Sequence, residues 1–341
     1  MLKHKVLFIT QRGLRHQQAA IDSAPAPLEI IMRRDPPREE IMKLLPQMKF
    51  LISERSGVID GELFAVGREL RLVQRLGHQT WDIDLNAAQR AGVPVCYQPI
   101  VGCQLVAEHM ILQTLALVKR LHEVTHIAEA AGDWGQPKEC TEDYFAYNWS
   151  HRDAIGGLFD KTVGILGFGE IGMELACRLR AFDCNVLYQK RKRLPLHAEA
   201  ELQIEYASPA DIQSKADVIC NLLPDLPETY RLIDASFLAA CQEGALLVHA
   251  GGGTTVDEQA VADALQAGQL GGAALDTYNW EPLRPVDPLV LLARDPQTNL
   301  VLTPHTAAGA QAEAGVEFQR NQDYDNLLAI LSGHPLKHRV V

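Results

Sequence analysis

Short apolar runs alternate with amphipathic segments along almost the whole chain. The stretches "KVLFIT" (5–10), "KFLISERSG" (49–57) and "LRLVQRLG" (70–77) read as short strands running into turns. Between them "PREEIMKLLP" (37–46) sets Ile41, Leu44 and Leu45 on one helical face. A second series starts at "KTVGILGFGEIG" (161–172) and continues through "ADVICNLLP", "GALLVHAGGG", "LGGAALDTY" and "NLVLTPHTAAG" (299–309). Strands alternating with helices predict an α/β fold with parallel sheets. Apolar residues cover most of the surface of 106–126, which predicts one long helix buried on several sides. Residues 130–157 break the periodicity with turn formers and aromatics and predict a long surface excursion, with an insertion at 139–153. A further helix is expected over 315–333, before a polar tail.

Composition narrows the class. The 341 residues suffice for two domains, 47% of them are apolar, and the formal net charge of -11 argues against a general nucleic-acid binder. The apolar run Val6–Ile9 is too short for a signal segment or membrane span, so a cytoplasmic protein without a membrane partner is expected. The seven cysteines form no CxxC pair and sit mostly in apolar runs, as reduced buried thiols do. No metal site is expected: the HxxxH pair His334 and His338 lies in the polar tail.

The clearest chemistry lies at Gly167, Gly169 and Gly172, which follow the strand Val163–Leu166 and open a helix with Leu175, Leu179 and Phe182 on one face. This is the dinucleotide fingerprint in its full context: a tight turn, close approach of backbone to a pyrophosphate, and close helix–strand packing. The helix start, including Glu170 and Ile171, would offer free N–H groups to the phosphates. Where an NAD-binding fold carries an acid for the ribose 2′-OH, this chain has Lys190 and Arg191, within four consecutive cations (190–193). Such cations suit a 2′-phosphate, so NADP is expected as cofactor, with NAD possible.

In this order, "LGHQTWDIDLNAAQRAGVPV", "VAEH", "TVGILGFGEIG", "ADVICNLLPDLPET", "GGAALDTYNWEPL" and "LVLTPHTAAG" resemble the D-isomer-specific 2-hydroxyacid dehydrogenases over nearly the whole chain. The resemblance implies two Rossmann-like domains with a cleft between them. Residues 1–104 and 306–341 would form a flavodoxin-like substrate domain, and 105–305 the cofactor domain. It also implies a homodimer joined through 106–150. The general acid/base falls on His305 and its carboxylate partner on Glu281, a pairing that favours the protonated imidazole needed at a carbonyl oxygen. Asp276 matches the contact to the nicotinamide carboxamide. Leu223, Pro224, Thr229, Ala250, Gly251, Gly252, His305 and Ala307 match further cofactor contacts. Gly77, His78 and Gln79 match the substrate loop, and Arg55 matches a position that is often basic.

One departure matters most. The family motif Asn-x-x-Arg-Gly aligns with His249 and Gly252, and no arginine occurs between Arg231 and Arg284. "PIVG" (99–102) departs from the family's PGxN as well. The missing arginine predicts an oxidoreductase whose substrate is not a simple α-keto acid, with the aromatics of the 139–153 insertion expected to line an enlarged pocket. Two alternatives remain at this point: a non-catalytic NADP(H)-binding sensor or scaffold, and an ordinary 2-hydroxyacid dehydrogenase in which Arg55 compensates. Gly252→Arg is expected to raise activity on small keto acids if the remaining geometry is sound, and to block the native substrate if the glycines exist to leave room for it.

Overall fold

A computed structural model of the chain describes residues 3–54, 57–309 and 320–341. It divides into two compact units, Met1–Val101 with Gln311–Val341, and Gly102–Ala310. Residues 306–309 therefore belong with the second unit rather than with the tail of the first.

The first unit holds β1 (His4–Thr10), β2 (Leu28–Arg34), β3 (Phe50–Glu54), β4 (Leu72–Leu76) and β5 (Val95–Gln98). All pair in parallel in the order β2-β1-β3-β4-β5, which is the flavodoxin-like order. Both faces of this sheet are covered, which explains the continuous apolar runs. Leu7, Ile9, Leu51 and Val73 pack with Leu45, Met48 and Phe64, while Val6, Phe8, Phe50 and Ile52 pack with Tyr324 and Leu327. Strand β2, with Leu28, Ile30, Ile31 and Met32 apolar, is an edge strand, half-buried and ending in Arg33 and Arg34. The helix expected over 315–333 is shorter among the described residues, a single 3₁₀ turn at Asn321–Tyr324 followed by Asp325–Ser332.

The second unit holds β6 (Thr162–Leu166), β7 (Asn185–Gln189), β8 (Ile204–Tyr206), β9 (Val218–Asn221), β10 (Ala245–His249), β11 (Leu270–Leu275) and β12 (Leu300–Leu302). Their order is β12-β11-β10-β9-β6-β7-β8, again all parallel. Every strand therefore ends on the same edge. The direction of chain progression reverses at β6, and that is where open parallel sheets bind ligands.

The single helix expected over 106–126 is two helices, Val101–Val118 and Leu121–Ala130. The break falls at Arg120, whose backbone is left-handed (φ 48°) and whose guanidinium reaches the Gln297 carbonyl at 2.8 Å and pairs with Glu123. A buried carboxylate and a carbonyl to be satisfied outweigh the helical propensity there. Trp134 and Trp149 stack at 5.5 Å within the excursion, but Phe145 and Tyr147 are exposed (54% and 83%), so those two line no enclosed pocket. Of the cysteines, 96, 103, 220 and 241 are buried, whereas Cys140 and Cys177 are exposed. Burial pushes the Cys220 thiol up to about 12.

Candidate active site

The end of β6 turns sharply at Gly167, in the left-handed region (φ 86°) and packed against the Leu222–Leu223 backbone. A side chain there would meet the Leu223 amide nitrogen at 2.7 Å, so glycine is required for this turn. Gly172 lies against Phe168 and Ile165, which lets helix Glu170–Leu179 press onto the strand. Gly169 differs: a Cβ built there has no neighbour within 4 Å. The backbone before the helix thus faces open space, and no side chain caps the helix start. A turn without side chains, next to uncapped N–H groups, fits a pyrophosphate.

At the end of β7, Lys190 is half-buried and Arg191 exposed. Arg193, another of the four cations, is taken by Glu199 through two hydrogen bonds of 2.8 and 2.7 Å. Glu199 also accepts the Tyr188 hydroxyl at 2.6 Å. The Arg193 guanidinium holds the Glu199 carboxyl below its usual range, and Arg193 drops out of the cluster expected to face a 2′-phosphate.

On the far side of β6, the ends of β11 and β12 bring His305 and Glu281 together. His305 Nδ1 stands 2.7 Å from Glu281 Oε2, and Glu281 Oε1 accepts the Tyr278 amide at 3.0 Å. His305 has a left-handed backbone (φ 53°), a conformation that costs a non-glycine residue about 1 kcal/mol. Asp276 offsets this cost. Fully buried, it accepts the amides of Thr306 and Ala307, both at 2.9 Å, and the Thr303 hydroxyl at 2.6 Å. The carboxylate thereby clamps the segment on both sides of His305.

Two residues outside the sequence expectations complete this clamp. His109 Nε2 and Gln113 Nε2, both on helix Val101–Val118, each lie 3.1 Å from Thr303 Oγ1. Because that hydroxyl donates to Asp276, both nitrogens donate to it, which assigns the proton of His109 to Nε2. Their sequence signal is weak, two polar residues four apart on a mostly apolar helix that also carries Gln104, Glu108 and Thr114.

His249 is fully buried at the end of β10. The Thr277 hydroxyl donates to the Gly251 carbonyl at 2.8 Å, so His249 Nε2 donates to Thr277 at 3.1 Å. Nδ1 then accepts from the Asn221 amide at 3.1 Å. Asn221 also donates to Thr255 Oγ1 at 2.8 Å, and Thr255 to the Gly252 carbonyl at 2.6 Å. Burial depresses His249 to about 4, so it is neutral at physiological pH. A closed polar network of this kind ties the ends of β9, β10 and β11 together.

The glycines that follow do not leave a vacancy. A Cβ at Gly251 would lie 2.7 Å from the Leu223 carbonyl oxygen, and one at Gly252 would lie 2.5 Å from the Asp225 amide nitrogen and overlap its carboxylate. At Gly253 it would overlap the Tyr278 carbonyl. Gly252 therefore leaves no room for an added side chain unless its neighbours move, so these glycines do not open the space expected for a substrate. An arginine could enter only by displacing the 222–225 backbone. Ala250 is half-buried beside these glycines. Leu223 is buried, Pro224 exposed, and Thr229 donates to the Pro224 carbonyl at 2.5 Å.

In the first unit, Gly77 (φ 105°) donates to the Gln98 carbonyl at 2.8 Å, and His78 stacks on Tyr97 with ring centres 4.7 Å apart. Gln79 is half-buried in the same loop. Arg55 lies outside the described residues.

The model of the D-isomer specific 2-hydroxyacid dehydrogenase NAD binding domain matches residues 111–307. A glyoxylate reductase of Thermococcus kodakarensis is 32% identical over 273 residues, which cover 80% of this chain and 77% of that protein. A D-3-phosphoglycerate dehydrogenase of Mycobacterium leprae is 32% identical over 286 residues, 83% of this chain and 50% of the relative. The chain thus spans about half the length of that relative. Among solved structures, a protein of Pyrococcus horikoshii OT3 matches with a TM-score of 0.57 at 27% identity, covering 99% of this chain and 95% of that one.

Proposed function

The chain belongs to the D-isomer specific 2-hydroxyacid dehydrogenase family, and from that premise we propose that it is an NADP(H)-dependent oxidoreductase interconverting a carbonyl and a hydroxyl group. The observation that carries this reading is the His305–Glu281 pair at 2.7 Å, on the same sheet edge as the open glycine turn. With its pyrophosphate held at that turn, a nicotinamide cofactor would supply or take the hydride at the substrate carbon. His305 holds the proton for the oxygen, so carbonyl, hydride and proton together balance to the alcohol. Glu281 orients the imidazole through Nδ1, leaving Nε2 for the substrate. Asp276, with Thr303, holds the loop that presents it.

Lys190 and Arg191, at the end of β7, support a preference for NADP(H). Each charged hydrogen bond to a 2′-phosphate contributes about 1.5–3 kcal/mol. The Lys190→Ala/Arg191→Ala double variant should bind NADPH much more weakly and NADH almost as before. Equal losses in a titration of both cofactors would defeat this assignment. With NADPH, wild-type protein should reduce some members of an aldehyde and ketone panel while glyoxylate, pyruvate and hydroxypyruvate react poorly. Robust turnover of those acids would favour the reading in which another cation, such as Arg55, replaces the arginine. Complete inactivity on a broad panel would favour the non-catalytic sensor.

We further propose a homodimer. Leu112, Leu121, Trp134 and Trp149 are exposed apolar side chains on the segment 106–150, which suits them for burial against a second copy. Light scattering should return twice the mass of the chain; a monomer at micromolar concentration would count against this.

A further inference from the structure

The family's arginine position is marked here by a reversal of charge. The Cα–Cβ direction at Gly252 leads into the carboxylate of Asp225, which stands where a side chain at 252 would begin. Asp225 is exposed. Its Oδ1 accepts the Thr254 amide at 3.0 Å and the Thr254 hydroxyl at 2.7 Å, and no protein donor to Oδ2 is found among the described residues. It lines an open groove of about 500 Å³ with Leu226, Pro227, Tyr230 and Thr254. The neighbouring cation, Arg231, is paired with Asp257 at 3.3 Å. Arg231 also lies over the exposed Tyr230 ring, 5.8 Å from its centre, so what the chain offers beside the groove is the negative oxygen of Asp225.

We propose that Asp225 is a specificity-determining residue, and that the substrate carries a cationic amino group where relatives of this family would present a carboxylate. This rests on the oxidoreductase reading and names its substrate class: an amino-substituted aldehyde or ketone, or the matching amino alcohol. A carboxylate at the same place would face Asp225 and be repelled, whereas an ammonium group would be drawn to Oδ2. The oxidoreductase chemistry is unchanged: one hydride to the carbonyl carbon and one proton to its oxygen give the amino alcohol.

Three two-carbon alcohols that differ only in their second group separate charge from shape: ethanolamine, ethylene glycol and glycolate. Their binding to the full chain saturated with NADP should be measured by calorimetry or by competition. Ethanolamine should bind at least about 10-fold more tightly than glycolate. Asp225→Asn keeps an acceptor for Thr254 but removes the charge, and should erase that preference while leaving ethylene glycol within about 2-fold. Equal or tighter binding of glycolate by the wild type would overturn the proposal. So would a uniform loss for all three ligands in Asp225→Asn, since that is the mark of a structural cap alone. Aminoacetaldehyde and glyoxylate then serve as substrates with NADPH. A binding preference without turnover would count against the oxidoreductase reading and leave the charge assignment standing.

Discussion

His305→Ala should lower turnover of any accepted carbonyl substrate by about 10² to 10⁴, the range for loss of a general acid or base. NADPH binding should survive. The groups expected to hold the phosphates, at Gly167, Gly169 and the start of helix Glu170–Leu179, make no contact through the imidazole. Glu281→Gln should fall between wild type and His305→Ala, because the glutamine oxygen still accepts the Nδ1–H hydrogen bond seen at 2.7 Å but carries no charge. Single-turnover kinetics with saturating NADPH would separate the proton step from binding. Normal turnover by His305→Ala would remove the histidine from the mechanism.

Gly253→Ala should cost about 1–3 kcal/mol of stability, as overpacking in a tight interior does, and should impair turnover as well. The added methyl overlaps the Tyr278 carbonyl, and Tyr278 has little freedom to withdraw. Its hydroxyl lies 2.9 Å from the carbonyl oxygens of both Leu275 and Thr303, which share its one proton, and its amide donates to Glu281 at 3.0 Å. Displacing Tyr278 therefore drags the carboxylate that orients His305. Gly102→Ala is the control: it has an open surround, an ordinary backbone and a helical position where alanine is preferred. Urea denaturation should show a loss for the first variant and no loss for the second. If Gly253→Ala is as stable as wild type, the close approach to Tyr278 is not a constraint on this turn.

These two variants mark where sequence reading was strong and where it stopped. Gly167, Gly169 and Gly172 were legible because a strand, a turn and a helix impose local rules on adjacent residues. His305 and Glu281 were legible through their motifs, although 24 positions separate them, and the structure brings them within hydrogen-bonding distance. The break at Arg120 was not legible. It answers to Glu123 and to a carbonyl at Gln297, far along the chain.

By itself the sequence determined the α/β class, the glycine turn, the cations after β7 and the absence of an arginine between residues 231 and 284. Those properties depend on residue type and local spacing. What the missing arginine left behind was decided by tertiary structure. Asp225, at the end of one loop, stands against Gly252, at the end of another, and His109 reaches Thr303 across 194 positions. The three glycines look like open space in a sequence because they lack side chains. In the fold the space is filled by the backbone of residues 222–225 and of Tyr278, because parallel strands ending on one edge crowd their loops together.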